Sequence, residues 1–264
     1  MGTGPAVHLV RGPRHATRVH SIDRAPFRAL FHDSADDGAV LSFLRGFDVV
    51  IAWSSIPFLE AKTLKLGIPL LQGSPHPEPG VHASDHLYRA LAPLGVLGPA
   101  PPPAIDLDEE SGLAAHRFLG QYGLAGRDFI ALHPSSGSPR KNWPLSRFRE
   151  LALLLGGENW PFVWIEGEAD KDAVASLGRI AEAPVARDLP LKTLGALLSL
   201  ARGFVGNDSG VTHLAAAAGT PTIALFGPTD PAVWGPRGPR VAVVSHGATA
   251  EEAWEKARSL FDPP

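Results

Sequence analysis

In the second half of the chain, short uninterrupted apolar runs alternate with stretches whose apolar residues recur every three or four positions. Uninterrupted runs predict strands buried on both faces, and the longer period predicts amphipathic helices laid across them. From residue 129 onward this reads as strand 129–133, then helix 144–155 with Phe148, Leu151 and Leu155 on one face. Strand Phe162–Glu166 follows, then helix 170–181 with Val174, Leu177 and Ala181 inward, and helix 191–200. Strand 203–206 and helix 212–218 come next. Thr222–Phe226 and Val241–Ser245 read as two further strands, and helix 251–261 closes the chain through Trp254, Ala257, Leu260 and Phe261.

The first hundred residues are less regular. Segment 48–53 is a β-branched run that predicts a buried strand, and 7–10 and 68–71 are shorter candidates. Segment 84–94 reads as a helix capped by Ser84, with Asp85 in its first turn and Gly95 ending it. The proline-rich piece 98–103 is the most linker-like in the chain, since proline lacks the amide that helices and central strands need. Helix 112–122 follows. The expectation is an α/β protein of two Rossmann-like domains with parallel sheets, 1–110 and 111–264, the first shortened and the last helix packing back on it. Parallel sheets bind ligands beyond the carboxyl ends of their strands, so the loops after 133, 166, 206 and 226 are where chemistry is expected.

Composition narrows the classes. A net charge of −3 gives no basic footprint, so no nucleic-acid partner is expected. The absence of cysteine excludes disulfides, thiolate metal sites and a cysteine nucleophile. His82 and His86, with Asp85 between them, could share a helix face, but His82 precedes the expected cap Ser84; no metal site is expected. No apolar run approaches the ~18 residues of a membrane helix, and residues 1–18 contain no signal-peptide core, so the expected location is the cytoplasm.

Two loops have the composition of a phosphate site. The first, HPSSGSPRKNWP at 133–144, offers the hydroxyls of Ser135 and Ser136, close backbone approach at Gly137, and the cations Arg140 and Lys141. The same residues also fit a plain polar loop ahead of a helix. The second, GNDSGVTHL at 206–214, opens a helix whose first amides would face an anion. Asp208 suits a sugar hydroxyl or the ordering of loop amides there, while Asp208 or Ser209 could equally be a simple N-cap and His213 a core histidine. In FGPTDP at 226–231, Thr229 could reach a sugar or phosphate oxygen or serve a turn.

Together these pieces resemble glycosyltransferase family 9, the ADP-heptose:lipopolysaccharide heptosyltransferases. The resemblance is carried by HPSSGS and KNWP within 133–144, GEAD at 167–170, and FVGNDSGVTHLAAAAGTPTIALFGPTDP at 204–231. It implies two domains in the GT-B arrangement and an inverting, metal-independent transfer of a sugar, heptose by the family's habit, from an ADP-sugar to a lipopolysaccharide or other envelope glycan. No cofactor is implied beyond that donor substrate. By resemblance, Ser135, Ser136, Gly137 and Lys141 contact the diphosphate. Asp208, Ser209, Gly210, Val211 and His213 line the phosphate–sugar end, Glu168 (Asp170 being the other choice) holds the ribose, and 189–191 borders the adenine. The chain departs from the family at its start: by this reading it begins at the family's second strand, at 7–10, without the first strand–helix unit and its Gly-Asp pair. The general base is therefore assigned to no residue; Asp23, Asp33, His8, His15 and His20 are candidates without a motif.

The expected partners are a nucleotide sugar and a glycan or glycolipid acceptor, with peripheral membrane association through the acceptor. An unfilled sheet position in the first domain would favour a homo-oligomer. The alternative function is a catalytically inactive nucleotide or nucleotide-sugar binder, and a third keeps the fold but epimerises the donor.

Overall fold

The computed structural model describes residues 1–2, 4–31, 37–167, 171–178 and 183–262. They fall into two units, Met1–Pro101 and Pro102–Pro264.

In the first unit, α1 (Gly38–Leu44), β1 (Val50–Ala52), α2 (Leu59–Leu66), β2 (Leu70–Gln72) and α3 (Ala83–Arg89) follow in chain order. The two strands pair in parallel, Val50 opposite Leu70. Leu30, Val40, Leu44 and Leu59 form the buried centre with Phe27. Lys62 is also buried, its ammonium 3.0 Å from Asp37.

Segment 7–10, expected as a strand, lies instead in a 3-10 helix, Pro5–Val10. Proline at the first position has its φ preset for a helical turn, and an apolar tetrapeptide becomes a strand only where a neighbouring strand can pair with it. The expected helix 84–94 also breaks: α3 stops at Arg89, and a separate turn, Ala92–Leu94, runs into Gly95 at φ 78°. Its cap is His82 and not Ser84, because the Ser84 amide donates to His82 Nδ1 at 3.2 Å.

The second unit holds α4 (Glu109–Gln121), β3 (Ile130–His133), α5 (Leu145–Gly157), β4 (Phe162–Glu166), α6 (Lys171–Gly178) and β5 (Val185–Arg187). It continues with α7 (Leu191–Ser199), β6 (Gly203–Asn207), α8 (Gly210–Ala217), β7 (Thr222–Phe226), α9 (Pro231–Trp234), β8 (Val241–Ser245) and α10 (Ala250–Phe261). The six strands form one parallel sheet in the order β5-β4-β3-β6-β7-β8. Every residue of β3, β4, β6 and β7 is buried, which is why these strands read as continuous apolar runs. One face carries α5, α6 and α10 on a core of Trp143, Phe148, Leu151, Trp164, Trp254 and Phe261. α7 and α8 cover the other, with α4 packed on α7.

The second unit begins at residue 102, earlier than the expected 111. Ile105 and Leu107 explain this, since they pack against Gly195 of α7, where a Cβ would lie 2.7 Å from Ile105 Cδ1. α4 likewise starts before the expected 112, capped by Asp108, which accepts from the Ser111 amide at 2.9 Å. The bonds from Ser111 hold the Asp108 carboxyl below its ordinary value. The closing helix buries Trp254, Ala257 and Phe261 against the sheet and α5 of its own unit. Among the described residues no helix is long and apolar enough to cross a membrane.

Candidate functional site

The strand order places the site. Chain order runs outward in opposite directions from β3 and β6, so the sheet's switch point lies between them, where parallel α/β sheets open a crevice beyond the strand ends. His133 ends β3 opposite Gly206 in β6. The loops leaving these neighbours are 134–144 and 208–209, the two that the sequence singled out.

They meet through side chains. Lys141 Nζ donates to Asp208 Oδ2 at 2.8 Å, and Thr229 Oγ1, from the loop after β7, donates to the same oxygen at 2.7 Å. Asp208 is buried and Lys141 about one-third exposed. Asp208 Oδ1 takes no hydrogen bond among the described residues, which leaves one carboxylate oxygen for a ligand hydroxyl. Ser209 occupies the N-cap position of α8, yet its hydroxyl makes no cap bond. That hydroxyl lies 3.2 Å from His133 Nδ1 and 3.3 Å from Thr212 Oγ1. The first turn of α8, at Gly210 and Val211, is thus left without a side-chain acceptor, a geometry suited to an anion.

Ser135 and Ser136 are both buried at the start of the first loop. Ser136 turns inward: its Oγ lies 2.7 Å from Asn142 Oδ1 and 2.9 Å from the Ser138 carbonyl, so it shapes the loop that carries Lys141. Gly137 and Arg140 are exposed, and His213 is half-buried on α8. Residues 189–191 follow β5 on the same rim of the sheet. Glu168 and Asp170 lie outside the described residues, as does Asp33. Of the base candidates in the first unit, His8 and His15 are exposed. His20 is wedged edge-on against Phe27 and Phe43, and Asp23 sits in a turn with Ser21. The structure does not gather them.

Three contributors were not read from the sequence. Asn207, fully buried at the end of β6, accepts from the Trp143 amide at 2.8 Å and so ties the first loop to the second. Replacing Asn207 by leucine orphans that amide and should lower stability by about 1–3 kcal/mol in a denaturant melt. An unchanged midpoint would show that the tie is dispensable. Glu166 is a buried carboxylate at the end of β4, paired with Arg187 at 3.1 Å. His246, just past β8, seats its ring over Gly227, where a Cβ would overlap it. Its Nε2 is buried with no hydrogen-bond partner of good geometry. Burial pushes this histidine's pKa down, against the Leu225 and Lys141 carbonyls and the Asp208 charge. A shift in hydropathy could not have revealed these residues, because each depends on which strands become neighbours.

Comparison with known proteins places the chain in a family. The profile of glycosyltransferase family 9 (heptosyltransferase) matches residues 75–262. Lipopolysaccharide heptosyltransferase 3 of Escherichia coli is 30% identical over 167 residues, 61% of this chain and 48% of that protein. The chain spans about half the length of the curated relatives it matches. Among solved structures, a family 9 glycosyl transferase from Veillonella parvula superposes with a TM-score of 0.75 at 22% identity, covering 84% of this chain and 77% of that one. The E. coli heptosyltransferase WaaC with ADP gives 0.61 at 22% identity, covering 91% and 83%. With most of its length under that profile and a shared α/β architecture of parallel sheets, the chain belongs to glycosyltransferase family 9, the heptosyltransferase family.

Proposed function

We propose that this chain transfers a heptosyl unit from ADP-heptose to a lipopolysaccharide or related envelope-glycan acceptor, with inversion and without a metal. The observation that carries the reading is the meeting of Lys141 and Asp208 at the switch point of the sheet. A cation, a run of helix-start amides and a half-open carboxylate are what a sugar nucleotide requires: donors for two phosphates and an acceptor for a sugar hydroxyl.

In this reading Lys141 and Ser135 with the backbone at Ser136 and Gly137 hold the diphosphate, the Ser136 hydroxyl bracing the loop, and Ser209 and the amides of Gly210 and Val211 face its other side. Asp208 Oδ1 accepts from the sugar, His213 borders that end, Glu168 takes the ribose, and 189–191 flank the adenine. Departure of ADP builds negative charge where these donors are already fixed. Removing one such donor typically costs ~3 kcal/mol of barrier, about a hundredfold in rate. The acceptor-side base is assigned to no residue, and the acceptor brings the protein to the membrane surface.

The test is calorimetry with ADP beside transfer and donor-hydrolysis assays. Binding with turnover supports the transferase, whereas ADP binding with neither activity identifies a silent binder. Lys141→Ala should weaken ADP binding by about tenfold to a hundredfold, since hydrogen bonds to charged groups contribute about 1.5–3 kcal/mol. Its melting temperature should fall, because the buried Asp208 carboxylate loses its cation and keeps only the Thr229 hydroxyl, so affinity is compared at a temperature where both proteins are folded. Equal affinity would remove Lys141 from the phosphate site.

A further inference from the structure

We infer that His133 is a positioning residue for the donor's diphosphate: by donating from Nδ1 to Ser209 Oγ, it turns the Ser209 hydroxyl proton toward a phosphoryl oxygen. This rests on the phosphate site proposed above.

Thr212 is fully buried, and its hydroxyl donates to the Asn207 carbonyl. Its single proton is thereby used, so toward Ser209 it can act only as an acceptor. Ser209 also has one proton and three places to send it: Thr212 Oγ1 at 3.3 Å, His133 Nδ1 at 3.2 Å, or a ligand. A phosphoryl oxygen of a nucleoside diphosphate is an acceptor, so binding through this hydroxyl requires the proton to leave both protein neighbours. An Nδ1 lone pair would then face the Ser209 oxygen lone pairs. An Nδ1–H would instead donate to that oxygen and leave its proton directed at the ligand.

The surroundings fix the histidine for this task. His133 is 3% exposed at the end of β3, and its strand neighbour is Gly206. A Cβ at Gly206 would lie 3.2 Å from His133 Cβ and 2.6 Å from Phe204 Cζ, so the glycine keeps the space the two rings share. Ser209 is freed for the task because it does not cap its own helix. The ligand therefore selects a tautomer: when it is bound, the proton of neutral His133 resides on Nδ1.

Histidine-selective 15N labelling of the full chain, with long-range proton–nitrogen spectra, reads that tautomer directly. The His133 signals are identified by their loss in His133→Asn. Saturating ADP should move His133 to the Nδ1–H pattern. His133→Ala should bind ADP about tenfold more weakly, the order expected when one supporting hydrogen bond is lost. His133→Asn, whose amide nitrogen can donate from the place of Nδ1, should restore most of the affinity. An Nε2–H pattern in the ADP complex would overturn the inference while leaving the phosphate site standing, as would an ADP affinity in folded His133→Ala equal to the parent's. Failure of the parent protein to bind ADP would overturn the phosphate site and this inference with it. The tautomer is read on the parent protein, so the test stands even if His133→Ala does not fold.

Discussion

Phe261→Ala should lower the stability of the second unit by about 3–5 kcal/mol, the usual cost of truncating a buried phenylalanine. Phe261 is 1% exposed and ends α10, its ring lying on the bare backbone of Gly203 in β6. Trp254 meets it edge-on at 6.4 Å. Truncation opens a void over the central sheet. The reciprocal change is informative: a Cβ at Gly203 would overlap the ring, so Gly203→Ala is also destabilising. Combined with Phe261→Ala, the new methyl occupies space the ring has left. The double variant should therefore be more stable than the sum of the two single losses predicts. Denaturant melts of the four proteins check this, and strictly additive losses would mean that the two positions do not share one volume.

Asp208→Ala should reduce sugar transfer by about a hundredfold, the scale of a charge-assisted hydrogen bond to a reacting substrate. The paired variant Asp208→Asn separates two causes. If the carboxylate orients the sugar, Asn lowers transfer yet binds ADP at least as tightly as the parent, because a negative charge beside the phosphates is gone and Lys141 is released to them. If Asp208 only braces the loops through Lys141 and Thr229, melting temperature, ADP affinity and transfer should all fall together. Calorimetry, melting curves and a transfer assay on the same preparations distinguish the outcomes.

Much of the second unit was legible because burial on both faces leaves a plain imprint. Phe162–Glu166, Thr222–Phe226 and Val241–Ser245 are strands with the expected bounds. β5 escaped notice because an edge strand of three residues ending in Arg187 lacks such a run. The reverse error arose at 7–10, where apolar residues have no ladder to join. The loops of the candidate site were recognisable from their small, polar and basic residues at strand-to-helix junctions. Their partners were not: Asn207 meets Trp143, and His133 meets Ser209, across separations of 64 and 76 residues. Such pairs exist only once β3 and β6 lie side by side.

Because Lys141 is balanced by Asp208 before any ligand arrives, the site exerts little long-range pull on anions. Added salt should then barely slow nucleotide association. Bare pyrophosphate would bring charge to the carboxylate without the adenosine contacts that offset it when ADP binds, so it should compete poorly. On the proposed function, an ion pair already in place would thus select against the cell's abundant small anions.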